Sequence, residues 1–112
     1  MPKQRDIVLI PVPYSDLSTI KRRPVLILSS DPQNRRSPDM LVAAITSNLT
    51  TGFTGVIVDT ADMDTGTLPQ RSLIRADKIY TLCQSDIIKS YGALSQSTFE
   101  NVLAALDIVL GR

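Results

Sequence analysis

The sequence predicts a mainly β domain with a C-terminal helix, built as a small antiparallel barrel or a strongly bent sheet. Short β-branched and apolar runs, separated by Pro, Gly, Asn and Asp, dominate the first three-quarters of the chain. The tail alone carries a helical stripe. Helical segments do not alternate with the strands, which argues against βαβ units. At 112 residues the chain suffices for a single domain, 1–112, around one core.

The elements follow in order. Residues 7–10 (Ile-Val-Leu-Ile) read as a strand whose end is made irregular by Pro11 and Pro13. Residues 14–21 are polar and turn-like. Residues 24–28 (Pro-Val-Leu-Ile-Leu) are too short for a helix and read as a buried strand starting at proline. Two prolines, Asn34 and two arginines make 29–39 a loop, and 41–46 form a third strand. Residues 55–58 make a short strand, followed by an acidic connection over 59–69. Residues 72–75 and 78–82 alternate apolar and polar positions, as half-buried strands do. In the tail, Ser97 and Glu100 fit a capping box. Phe99, Val102, Leu103, Leu106, Val109 and Leu110 then follow a helical stripe that Gly111 ends.

Composition excludes several chemistries. No histidine is present, which removes His-paired nucleophiles, HExxH zinc sites and two-histidine acid/base mechanisms. The single cysteine, Cys83, cannot form an internal disulfide. Asp59, Asp62 and Asp64 lack the spacing of a calcium loop and read as a polar turn. No apolar run approaches a membrane span and the N-terminus has no signal-peptide pattern, so a soluble cytoplasmic protein is expected. Net charge is only +1, but it is unevenly spread. Residues 1–56 carry seven basic and four acidic groups, and 57–112 carry five and seven. The excess sits at Lys21-Arg22-Arg23 and Arg35-Arg36, which points to a local anion-binding face.

Arg23 stands directly before the predicted 24–28 strand, so the sheet would hold its backbone and aim its guanidinium. Arginine suits phosphate because it is planar, permanently charged and bidentate. The third strand ends at Thr46-Ser47-Asn48, hydroxyls and an amide able to position a phosphate or ribose hydroxyl. Taken singly, Arg23 reads as a surface ion-pair partner and Thr46 as an ordinary β-former.

Together, Asp6-Ile7-Val8-Leu9, Arg23-Pro24-Val25-Leu26-Ile27-Leu28, Asn34-Arg35, Ala43-Ala44-Ile45-Thr46 and Ser72-Leu73-Ile74-Arg75-Ala76-Asp77 resemble the MazF/PemK toxin endoribonucleases over almost the full length. One departure is visible: Arg5-Asp6 stands where the family pattern has Gly-Asp. The resemblance implies an SH3-like barrel, a homodimer, and metal-independent cleavage of single-stranded RNA to a 2′,3′-cyclic phosphate and a 5′-hydroxyl, with no cofactor. Such cleavage would inhibit translation and growth. A MazE/PemI-like antitoxin would cover the RNA groove, and the complex would bind DNA. The family's catalytic arginine and threonine map onto Arg23 and Thr46, and a later arginine and aspartate onto Arg75 and Asp77. Asp77 is the candidate proton carrier, or else holds Arg75 in place. Lys21, Arg22, Asn34, Arg35, Ser47 and Arg75 are the expected RNA contacts. Tyr14 and Phe53 are the candidates for base stacking, against a role as loop anchors. The alternatives are a CcdB-like toxin that binds DNA gyrase, and an inactive relative that only binds an antitoxin.

Overall fold

The computed structural model describes residues 2–13, 20–50 and 52–112, so Tyr14 lies outside the described residues. The strands are β1 (Asp6–Pro13), β2 (Ile20–Ile27), β3 (Asp39–Thr46), β4 (Gly55–Val58), β5 (Met63–Gly66), β6 (Ser72–Cys83) and β7 (Lys89–Leu94). Helix α1 (Asp31–Arg36) links β2 to β3, and α2 (Gln96–Leu110) follows β7. All seven strands join one antiparallel sheet in the order β4-β6-β3-β2-β1-β7-β5. Among the described residues no helix is long and apolar enough to cross a membrane.

Chain connectivity forces this sheet to curl. β4 and β5 lie at opposite edges, yet only residues 59–62 join them. Five Cα steps reach at most about 18 Å. Seven flat strands about 4.8 Å apart would separate the edges by about 29 Å. The sheet therefore rolls into a half-barrel. The acidic connection makes the tight link: the Asp59 carboxylate accepts from the Ala61 N–H at 3.0 Å, and Asp62 accepts from the Asp59 N–H at 2.9 Å. The backbone carbonyl of Asp62 then accepts from the Ser95 N–H, which ties the link to the start of α2.

Both faces of the central strands are apolar. Ile7, Leu26, Ala43, Ile45 and Ile74 pack on one face with Phe99 and Val102 of α2. Val8, Ile10, Val12, Val25, Ile27, Met40 and Val42 fill the other, with Tyr80, Leu82 and Ile87 against them. Burial on two faces explains why these strands read as continuous apolar runs.

Several boundaries differ from expectation. β1 continues through Pro11 and Pro13, because β7 pairs only with Asp6–Leu9 and leaves the rest of β1 an edge on that side. β2 begins at Ile20, so Arg23 and Pro24 lie inside it, opposite Ile10 and Leu9. The expected 29–39 loop contains α1, capped by Ser30 and opened by Pro32. β5 and β7 have weak β signatures and are strands because the curled sheet supplies partners for them. The two halves expected at 72–75 and 78–82 are one strand. Between the pairs Ala43–Ile79 and Ile45–Ile74, β3 advances two residues while β6 advances five, so Arg75-Ala76-Asp77-Lys78 form a large bulge.

The tail helix starts earlier than the capping-box pattern suggests. Ser95, not Ser97, is the N-cap, its hydroxyl accepting from the Thr98 N–H at 3.2 Å. Thr98 in turn donates to Asp62 from its hydroxyl, a tertiary contact that local pattern does not reveal. Gly111 ends the helix at φ 75°, the left-handed conformation that favours glycine. Only part of the predicted stripe is buried: Phe99 and Val102 are, whereas Leu103, Val109 and Leu110 are exposed.

Arg5 adopts φ 79°, which glycine would take more easily. Its N–H donates to Ile27 O at 3.0 Å and its carbonyl accepts from the Leu94 N–H at 2.8 Å. Its guanidinium reaches Leu94 O at 2.7 Å and Asp64 at 3.1 Å. These contacts hold the strained turn between β2 and β7, so the departure from Gly-Asp is accommodated. The cap assignment predicts that Ser95→Ala lowers stability by about 1 kcal/mol in chemical denaturation. Ser97→Ala, already inside the helix, is expected to change it by no more than about 0.5 kcal/mol.

Candidate active site

A cluster of polar side chains lies where β2 and β3 diverge beside β6. β2 pairs with β3 from Ile27–Val42 to Val25–Ala44. Extending that register would set Arg23 opposite Thr46, but the paired stretch stops short of them. The strands thus part around a cleft of about 330 Å³, with Arg23 on one wall and Thr46, Ser47 and Asn48 on the next. Val12 and Val25 lie at its base, and Arg75, Lys78 and Tyr80 come from β6.

Strand alternation explains who faces the cleft. Arg23 shares the phase of Val25 and Ile27, and Thr46 that of Met40, Val42 and Ala44, all on the second apolar face. Tyr80 pairs with Val42, and Lys78 is one alternation away on the same side. Arg75 has the wrong phase for a regular strand. The bulge corrects it, so Arg75 and Lys78 both line the cleft although they stand three residues apart. Gly55 lets β4 approach at this point, opposite Arg75, since a Cβ there would collide with the carbonyl of Ile74.

Arg75 is the most constrained of the cations. Its Nε and Nη2 each donate to one Asp77 carboxylate oxygen at 3.0 Å. Its guanidinium also lies 3.4 Å from the centroid of the Phe53 ring. The remaining N–H groups of the fork stay available to a ligand. The Arg75 hydrogen bonds hold the Asp77 carboxyl below the usual carboxylate range, outweighing its partial desolvation. At the end of β3, the Thr46 hydroxyl accepts from the Asn48 N–H at 3.2 Å, which turns the chain. The side-chain oxygen of Asn48 accepts from the backbone and hydroxyl of Thr50.

Among the described residues the lining therefore holds three cationic side chains, Arg23, Arg75 and Lys78, and no carboxylate. That composition is suited to an anion with several oxygens. The structure brings together Arg23, Thr46, Ser47 and Arg75, with Asp77 and Phe53 bound to Arg75. Lys21 and Arg22 are exposed on β2 just beyond the cleft. Asn34 and Arg35 are set apart, because α1 joins the end of β2 to the start of β3 and the cleft is at the opposite ends of both strands. Asn34 is buried, with its amide bonded to Ser29 O and its side-chain oxygen accepting from the Ser29 hydroxyl. Arg35 borders a different recess with Lys3 and Asp31. Sequence reasoning did not single out Lys78 and Tyr80. Their i, i+2 spacing on a predicted strand was visible, but the bulge that aims them beside Arg75 was not.

Residues 3–110 match the family profile of the PemK-like, MazF-like toxins of type II toxin-antitoxin systems. The chain is 34% identical over 100 residues to endoribonuclease MazF2 of Mycobacterium bovis and to endoribonuclease MazF6 of Mycobacterium tuberculosis, covering 88% of this chain and 86% of each relative. The solved Mycobacterium tuberculosis toxin MazF-mt6 superposes with a TM-score of 0.76 at 27% identity, covering 96% of this chain and 97% of that one. A mycobacterial endoribonuclease in complex with its cognate antitoxin gives 0.80 at 23% identity, covering 99% and 96%, a likeness of fold. The chain belongs to the PemK/MazF family of type II toxin-antitoxin toxins.

Proposed function

We propose that this chain is the toxin of its system and cleaves single-stranded RNA through the RNA's own 2′-hydroxyl. The products would be a 2′,3′-cyclic phosphate and a 5′-hydroxyl. The observation that carries this reading is the cleft itself: Arg23 within β2 and Thr46 at the end of β3 line it together with Arg75 and Lys78, and among the described residues no carboxylate does. Because the nucleophile belongs to the substrate, the lack of histidine is no obstacle. What the protein must supply is stabilisation of the negative charge that builds on the phosphoryl oxygens. Arg23, its backbone held by β1, and the oriented fork of Arg75 provide it. The Thr46 hydroxyl donates to a phosphoryl oxygen or orients the 2′-hydroxyl.

Asp77 acts here through Arg75. Both its oxygens are engaged and its carboxyl is held at low pKa, which suits a positioning residue better than a proton acceptor. Lys21 and Arg22 extend the cationic surface along β2 for flanking phosphates, and Ser47 adds a hydroxyl at the rim. Phe53, half-exposed behind Arg75, offers a ring to the same surface. No metal or cofactor enters this scheme. A cognate antitoxin covering the cleft, and a homodimer, complete the reading. Leu103, Ile108, Val109 and Leu110, exposed on α2, are side chains of the kind such contacts bury. The site of action would be the cytoplasm, where the RNA is.

The test is incubation of the purified chain with single-stranded RNAs of varied sequence in the presence of EDTA. Cleavage to cyclic-phosphate ends is expected, with gyrase supercoiling unaffected; intact RNA with a natively folded protein would overturn the reading. Arg23→Ala is expected to slow cleavage by about 10²–10³-fold. Because Arg23 is exposed, its thermal melt should shift by no more than about 0.5 kcal/mol in stability. Asp77 has a pKa lowered by folding, so its contribution to stability is present above about pH 4 and fades as pH falls through the folded value. Asp77→Asn should therefore lower stability at neutral pH by less than about 1 kcal/mol, since the pair is partly exposed. The gap from wild type should close in acid melts.

A further inference from the structure

Cleavage by an internal hydroxyl needs two proton transfers that Arg23, Thr46, Arg75 and Asp77 do not supply; solvent water can take the 2′-hydroxyl proton, but the second transfer needs a donor. The departing O5′ must receive a proton, because an alkoxide is a poor leaving group. Arginine holds its protons too tightly to release one at working pH. Thr46, Ser47 and Asn48 do not titrate, and Asp77 is ionised and bound to Arg75. Among the described residues two lining groups remain, Lys78 and Tyr80.

Lys78 has the placement for the task. It sits in the β6 bulge, half-buried, and lines the same cleft as Arg75 and Thr46. Its ammonium makes no side-chain hydrogen bond or salt bridge among the described residues, although its charge is felt by Asp77. An amine so placed has all three N–H donors available to a ligand. Tyr80 is less suited, since its ring packs on the second apolar cluster. Losing its proton would also create a phenolate beside the anionic product, whereas an ammonium becomes neutral.

Resting on the nuclease reading above, we infer that Lys78 is the general acid that protonates the leaving O5′. The 2′-oxygen attacks phosphorus and its proton passes to solvent water. The P–O2′ bond forms as the P–O5′ bond breaks, and the bonding pair leaves with O5′. One Lys78 Nζ proton moves to that oxygen, giving the 5′-hydroxyl. The neutral amine then regains a proton from water, so the cycle closes without a cofactor.

The test uses the full chain and one RNA that wild type cleaves, made with either a normal linkage or a bridging 5′-sulfur at the cleaved position. A thiolate departs without protonation, so the sulfur substrate bypasses a general acid. Lys78→Met is expected to lose about 10²–10³-fold in kcat on the oxygen RNA. On the sulfur RNA it should cleave within about tenfold of wild type, as general-acid logic requires. Lys78→Arg, which keeps the charge but not a transferable proton, is expected to stay slow on oxygen and recover on sulfur. The assignment is overturned if Lys78→Met matches wild type on oxygen, if it is equally slow on both RNAs, or if Lys78→Arg restores the oxygen rate. A sulfur rescue seen with Tyr80→Phe in place of the lysine variants would also overturn it. A wild-type chain that leaves both RNAs intact removes the nuclease reading itself, and with it this assignment.

Discussion

The link of four residues between β4 and β5 is the constraint on which the rest of the molecule depends. It joins opposite edges of a seven-stranded sheet, and the sheet must roll to satisfy it. Rolling gives the sheet a side that α2 covers with Phe99 and Val102, and a second side with its own apolar cluster. Pairing between β2 and β3 stops at Val25–Ala44. The cleft is the gap left where β2 and β3 separate.

The β6 bulge converts this gap into a site with chemistry. A regular strand would have sent Arg75 and Lys78 to opposite faces, because three residues is an odd number of alternations. The extra residues turn both toward Arg23 and Thr46. Three like charges gathered at one cleft, Arg75 and Lys78 partly buried and Arg23 exposed, repel one another. The arrangement makes sense where a polyanion offsets that repulsion. Asp77 and Phe53 hold Arg75 from behind with an ion pair and a ring, fixing its orientation before a ligand arrives.

The fold was more legible than the site. The β-rich pattern, β3 to β4 and the terminal helix with its Gly111 stop could all be seen, because each depends on local apolar spacing or backbone preference. β5 and β7 could not, since Met63–Gly66 and Lys89–Leu94 become strands by pairing with each other and with β1. Proline was over-read. Pro11, Pro13 and Pro24 suggested strand ends, but the sheet has open sides where a missing N–H costs little. Asn34 was an expected RNA contact, whereas α1 buries it against Ser29.

By itself, the sequence determined the class of the fold, the exclusion of histidine chemistry, and the kinship of the Arg23-Pro24 and Ile45-Thr46 segments with a toxin family. Those properties reside in composition and in short stretches of chain. The tertiary structure decided which cations share a cleft. Arg23 comes from β2, and Arg75 and Lys78 come from β6, far from it in sequence; only register and the bulge bring the three to one cleft. Local pattern carries no information about a register shift, because the shift is set by what the partner strands can pair with.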